Sequence, residues 1–299
     1  MIKRTLYFGN PCSLLKKQNQ LIVDYGDDLE NRQVPIEDIG LMVVDHYQVK
    51  MTAALVQALI GNNSAVLFCD NKHLPAGMML PMSQHHAFTE KMFFQLEASL
   101  PLKKNLWQQT VIAKIRNQAA MLQSNGADPE KMRYWATQVR SGDPDNYEAR
   151  AAACYWDNLF AGMESFKRFR HGEPPNNLLN YGYAVLRAVV ARSLVASGMI
   201  PSVGIHHRNK YNPYCLADDV MEPFRPYVDM VVLAIVNDEP EAEELTPLVK
   251  RKLLSVASVN VTIDKKSSPL MVGMQRTTAS LMKCFEGKAK KLLYPVMDI

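Results

Sequence analysis

The hydrophobic spacing of this chain changes period once, near residue 86, and that change limits its fold more than any other feature. Before it, short runs suited to strands (5–8, 14–17, 20–25, 41–44 and 65–69) are separated by Asn10-Pro11, Gly26-Asp27-Asp28 and Gly61-Asn62-Asn63. One helix interrupts them, with Thr52 as N-cap and Ala53, Leu55, Val56, Leu59 and Ile60 at helical spacing. Beyond it, a 3.6-residue period predicts helices over 102–123, 129–139, 146–160, 177–196, 217–236, 241–256 and 269–285, with one strand-like run at 259–263. The reading is an α+β protein of two domains: a small β-rich domain over 1–80, then a larger, mainly α-helical domain over 86–299. The last nine residues, from Lys291, read as a loose tail.

At 299 residues such a chain buries a sizeable core without staples. The five cysteines (Cys12, Cys69, Cys154, Cys215 and Cys284) are odd in number and widely spaced, so they read as reduced thiols. The longest apolar run, 230–236, falls far short of the ~20 residues of a membrane span. The basic start lacks the apolar stretch of a secretory leader, so a soluble cytoplasmic protein without a membrane partner is expected. The formal charge of +4 is too small for polyanion binding by bulk charge, which leaves local patches. Gly-x-x-x-x-Gly-Lys, Gly-x-Gly-x-x-Gly and Gly-x-Ser-x-Gly are all missing, which disfavours nucleotide hydrolysis, dinucleotide redox chemistry and a serine hydrolase.

Three clusters could carry chemistry. Asp145 followed by Glu148 resembles a capping box, so Glu148 either caps a helix or, with Ala151 and Ala152 behind it, is a sheltered carboxylate. His206-His207 beside Arg208 and Lys210 is either polar surface or an imidazole ligand beside a phosphate-bearing substrate. Asp218, Asp219 and Glu222 would gather on one side of a helix, with Pro223 and Pro226 demanding a kink. They are either solvated acids paired with cations such as Arg225, itself in i,i+4 relation to Asp229, or a divalent-cation site. Hard oxygens with one imidazole suit Mg²⁺ or Mn²⁺ better than structural zinc. Among basic stretches, Phe166-Lys167-Arg168-Phe169-Arg170-His171 interleaves rings with cations, as a nucleic-acid surface does.

These clusters, read together with Asn177-Leu178-Leu179-Asn180-Tyr181-Gly182-Tyr183 and Met221-Glu222-Pro223-Phe224-Arg225-Pro226, resemble the CRISPR-associated integrase family of spacer acquisition. The segments Ile205-His206-His207-Arg208-Asn209 and Leu216-Ala217-Asp218-Asp219 are most similar to the form found beside single-protein RNA-guided effectors. The resemblance implies a metal-dependent DNA endonuclease and integrase in which a fragment's 3′-hydroxyl attacks a phosphodiester at a CRISPR repeat, without ATP. It implies Glu148, His207 and Glu222 as catalytic metal ligands for Mg²⁺ or Mn²⁺, with Asp219 a rival for the third place and His206 the neighbour of the second. Lys167, Arg168, Arg170, Arg208 and Lys210 are the candidate DNA contacts. A homodimer through the β-rich domain, joined by a small CRISPR-associated partner into a heterohexamer, is the implied assembly. A non-catalytic DNA-binding scaffold and a small-substrate phosphoesterase are the competing readings.

Overall fold

The β-rich start contains β1 (Arg4–Phe8), β2 (Ser13–Lys17), β3 (Gln20–Asp24), β4 (Arg32–Pro35), β5 (Ile39–Val44) and β6 (Lys50–Met51). Helix α1 (Ala53–Gly61), β7 (Ala65–Cys69) and β8 (Pro75–Met79) follow. This computed structural model describes residues 3–26, 31–82, 85–163, 166–169, 172–238 and 244–298. One sheet runs β1-β5-β7-β8, parallel except for its last pair, and the other runs β4-β3-β2-β6. Gln18 and Asn19, both at positive φ, make the two-residue turn that fixes the β2–β3 register. The Thr52 side chain accepts from the Leu55 amide, as the N-cap reading requires.

β5 is buried along its whole length because both its faces are covered. Leu41 and Val43, with Ala65 and Leu67, join the helical core, while Met42 and Val44 pack with Leu14, Leu21, Leu55 and Leu59. The junction between the two parts is thus a shared sheet rather than a linker. β4, β6 and β8 escaped the sequence reading because they are short and largely polar or Gly-containing.

The helical part comprises α2 (Phe88–Leu96), α3 (Leu100–Ser124), α4 (Glu130–Gln138), α5 (Tyr147–Leu159), α6 (Asn176–Ala196), α7 (Cys215–Met221), α8 (Arg225–Asp238), α9 (Pro247–Leu254) and α10 (Leu270–Phe285). A hairpin of β9 (Asn260–Ile263) and β10 (Lys266–Pro269) precedes α10. Helix α6 is apolar on nearly every side because it is the central post, with α7, α8, α9 and α10 around it. Gly182 lets α8 close in: a Cβ there would lie 2.5 Å from Val228 Cγ1. Where a helix over 241–256 was expected, the structure starts α9 at Pro247 behind the capping Thr246 and continues into a 3₁₀ turn, Ser255–Ser258; residues 241–243 lie outside the described set.

The terminal segment is not a loose tail. Leu292, Tyr294 and Met297 are buried, Tyr294 hydrogen-bonds Thr110 at 2.8 Å, and Val296 bridges to Thr262. The apolar run over 292–297 carried that signal, but it is too short to register as an element.

A buried ion pair crosses the junction. Asp45, after β5, meets Lys250 of α9 at 2.6 Å, receives the Tyr7 hydroxyl at 2.5 Å and lies 3.0 Å from His73 Nδ1. Among the described residues no helix is long and apolar enough to cross a membrane, and all five cysteines are free.

Candidate active site

Glu148 sits in the first turn of α5, but Asp145 does not cap that turn. Asp143 does, accepting from the Tyr147 and Glu148 amides at 2.9 Å each, while Asp145 pairs with Arg140. Asn146, left-handed at φ 52°, swings the chain so that Asp143 rather than Asp145 reaches the free amides. Freed from capping, the Glu148 side chain, a quarter exposed, contacts Lys114 of α3 at 2.5 Å.

The His206-His207 loop is organised by one buried carboxylate. Asp219 of α7 accepts from the amides of Ile205, His206 and His207 at 2.8, 2.9 and 3.3 Å, and from His207 Nδ1 at 2.5 Å. That bond raises the His207 pKa, burial opposing it. The His206 ring stacks on Trp107 at 4.1 Å between centroids, and burial lowers its pKa. Gly204 turns the loop, because a Cβ there would lie 2.4 Å from the His207 carbonyl oxygen and 2.8 Å from Asp219 Oδ2. Asp218 looks elsewhere, to Arg187 and Asn212. The three acids expected on one side of a helix therefore part company.

Glu222 lies at the 3₁₀ turn Glu222–Phe224, where Pro223 breaks α7 from α8, in keeping with the kink that the prolines demand. Its Oε1 accepts from Arg225 Nε at 2.8 Å, and its Oε2 is 2.6 Å from Lys114 Nζ. Burial works to raise the Glu222 carboxyl, but Arg225 and then Lys114 outweigh it and hold it at about 2. Arg225 thus turns to Glu222, and Asp229 instead accepts from the Tyr155 hydroxyl at 2.9 Å and from that of Tyr183. Lys114 was missed in the sequence, yet it falls one turn from Val111 and Gln118 on the buried stripe of α3, where a lysine is out of place.

Lys114, Glu222 and Arg225 border a cavity of about 1000 Å³, whose far rim is Asp70 and Leu74 to Ala76 of the β-rich part. Of the proposed DNA contacts, Arg168 turns into this cavity: it bonds Asn176 and Asn180, with its guanidinium over the Trp156 and Tyr183 rings. Lys167, Arg208 and Lys210 are exposed, and Lys210 lies over the Tyr211 ring. Arg170 lies outside the described residues.

Among the described residues no three His, Cys, Asp or Glu side chains already form a cage for a cation. The donor chemistry nevertheless fits one. Glu222 Oε2 is buried without a hydrogen bond of proper geometry, its Lys114 contact being an ion pair alone. Glu148 converges on the same ammonium, and the Asp219 bond orients His207 through Nδ1, leaving Nε2 for a ligand, an arrangement common in metal sites.

A strand-rich start, a helical body and a basic, carboxylate-lined cavity bordered by both define a fold that solved structures share. A casposase bound to integration product superposes with a TM-score of 0.79 at 20% identity, over 98% of this chain and 92% of that one. A Cas1 protein from Thermotoga maritima gives 0.75 at 16% identity, over 95% and 97%. The family model of CRISPR associated protein Cas1 matches residues 6–245. The CRISPR-associated endonuclease Cas1 of Neisseria meningitidis serogroup C (strain 8013) is 37% identical over 99% of this chain and 96% of its own length. The chain belongs to the Cas1 family.

Proposed function

We propose that this chain is a divalent-metal-dependent DNA endonuclease and integrase that inserts short fragments into a CRISPR array. The observation that carries the reading is the convergence of Glu148 and Glu222 on one buried point beside His207, at the edge of a cavity with Arg168, Arg187 and Arg225 in its wall. Mg²⁺ or Mn²⁺ would be held by Glu148, His207 and Glu222, with Asp219 committed to orienting the imidazole. When bound, the cation would neutralise charge developing on the phosphoryl oxygens. Arg225 fixes Glu222 through Oε1 and so keeps Oε2 toward the site. Trp156, Tyr183 and Arg168 offer rings and a guanidinium to a nucleic-acid strand entering the cavity. In the reaction a 3′-hydroxyl oxygen bonds to phosphorus as the resident P–O bond breaks, so one phosphodiester replaces another and no nucleotide is consumed.

Two insertions at a repeat need two sites, so the proposal includes a homodimer through the β-rich part, joined by a small second protein into a heterohexamer, in the cytoplasm. A chain of the Cas6-RT-Cas1–Cas2 complex, which this chain matches with a TM-score of 0.73 over 35% of that chain, supports a Cas2-like partner. The domain limits 1–80 and 86–299 are retained for that assembly.

One observation favours the competing scaffold reading: Lys114 and Arg225 already neutralise both glutamates, as purely structural ion pairs would. A labelled 3′-hydroxyl duplex, a supercoiled plasmid carrying the repeat, the small partner and Mn²⁺ decide between them. Label joined to plasmid by the wild type but not by Glu148→Ala supports the integrase. Tight DNA binding with equal absence of joining in both supports the scaffold.

A further inference from the structure

Both oxygens of Glu222 already face cations. Oε1 accepts from Arg225 Nε, and Oε2 lies 2.6 Å from Lys114 Nζ, which is also 2.5 Å from Glu148 Oε1. The Lys114 side chain is 8% exposed, and its ammonium is the point at which two helices and the turn before α8 bring their charges together. Two carboxylates, one ammonium and one guanidinium sum to zero. A divalent cation taking Glu222 Oε2 and Glu148 Oε1 needs the oxygens that Lys114 holds, and adding it without displacement would leave two uncompensated positive charges in a buried place.

We propose that Lys114 is the resident counter-ion of the cation site: it holds Glu148 and Glu222 together in the metal-free protein, competes directly with the divalent ion, and so sets the affinity for it. This rests on the proposed metal-dependent function. Lys114 is in this sense a positioning residue, with a cost and a benefit. Without it two carboxylates would repel and drift apart; with it, the incoming cation finds them converged but must displace an ammonium. The displaced ammonium borders the same cavity, so an anionic strand there compensates it. Cation and DNA binding are therefore thermodynamically coupled, each strengthening the other.

The test measures Mn²⁺ binding to the full chain without DNA, from loss of the free-ion electron paramagnetic resonance signal. Lys114→Met keeps the apolar stem and removes the competitor, so it should bind Mn²⁺ at least about tenfold more tightly than the wild type. Mn²⁺ should also raise its melting temperature more than that of the wild type. Lys114→Arg keeps the charge and should bind no tighter than the wild type. Equal or weaker binding by Lys114→Met, with normal binding by the wild type, overturns the counter-ion role and leaves the metal site standing. No binding by either protein overturns both. A second readout needs no variant: amine acylation of Lys114 in the wild type, followed by mass spectrometry, should rise when Mn²⁺ is added. Unchanged acylation at saturating Mn²⁺ also overturns the proposal.

Discussion

Asp219 holds His207 by its Nδ1 at 2.5 Å while taking three backbone amides of the same loop. Ring orientation and loop shape therefore depend on one carboxylate. Gly204 is what lets that carboxylate come close. Gly204→Ala should cost about 1–3 kcal/mol of stability, because the added methyl meets the His207 carbonyl and Asp219. Strand transfer should fall with it. A melting curve and a joining assay check both, and an unchanged pair of values would show that the loop can relax around the methyl.

Glu148→Ala, His207→Ala and Glu222→Ala should each lower strand transfer by about 100-fold or more if, as proposed, each holds the cation. Circular dichroism and gel filtration should show an intact fold for Glu148→Ala, whose side chain is partly exposed. Normal joining by that variant contradicts the site.

Lys167 and Arg168 adjoin in sequence but differ in surroundings, one exposed and the other lodged against Asn176, Asn180 and Tyr183. Lys167→Ala should lower the salt dependence of DNA binding by at most about one phosphate's worth and spare joining. Arg168→Ala should weaken binding of a single-stranded end and impair joining as well. Fluorescence anisotropy across a salt series separates the two, and identical behaviour would return both to one surface patch.

Asp229 supplies a pH prediction. Burial pushes its carboxyl up from 3.8 to about 6, against the hydrogen bonds of Tyr183 and Tyr155. Between those values the folded protein holds a proton that the unfolded chain has lost, so this group's contribution to stability is full below 3.8 and declines as pH rises toward about 6. Asp229→Asn should remove that decline. Glu222, held at about 2 rather than 4.5, acts in the opposite sense: its contribution is present above 4.5 and lost as pH falls toward 2. Denaturant melts from about pH 2 to about pH 6 cover both windows and give the two opposite slopes.

Asp45→Asn or Lys250→Met, each leaving a buried partner unpaired, should cost about 3–5 kcal/mol. The double variant should cost less than the sum, because neither charge is then stranded. Urea melts of the four proteins measure the coupling, and strict additivity would deny the pair its role.

Strands and long helices were legible because their periods are local: α3, α6 and α10 stand out from spacing, and Thr52 from its chemistry. The candidate ligands Glu148, His207 and Glu222 came from the resemblance, since spacing alone left each cluster with a structural alternative. What sequence could not show was direction. Asp143 rather than Asp145 caps α5 because of a left-handed Asn146, and Asp219 rather than solvent receives His207 because α7 lies beneath its loop. Lys114 and Arg168 belong to this group too, since only folding decides whether a cation lies on a surface or in a cavity.

The cavity has one rim on each part of the molecule: Lys114, Glu222 and Arg225 in the helical part, and Asp70 and Leu74 of the β7–β8 turn with Pro75 and Ala76 at the start of β8. The second rim hangs beside His73, which leans on Asp45, which is clasped by Lys250. Its aperture is thus a property of how the two parts meet, and neither part owns it. A chain cut down to its helices would keep Glu148, Asp219, Glu222 and His207, yet it would lose the wall of the cavity that Asp70 and Leu74 to Ala76 supply.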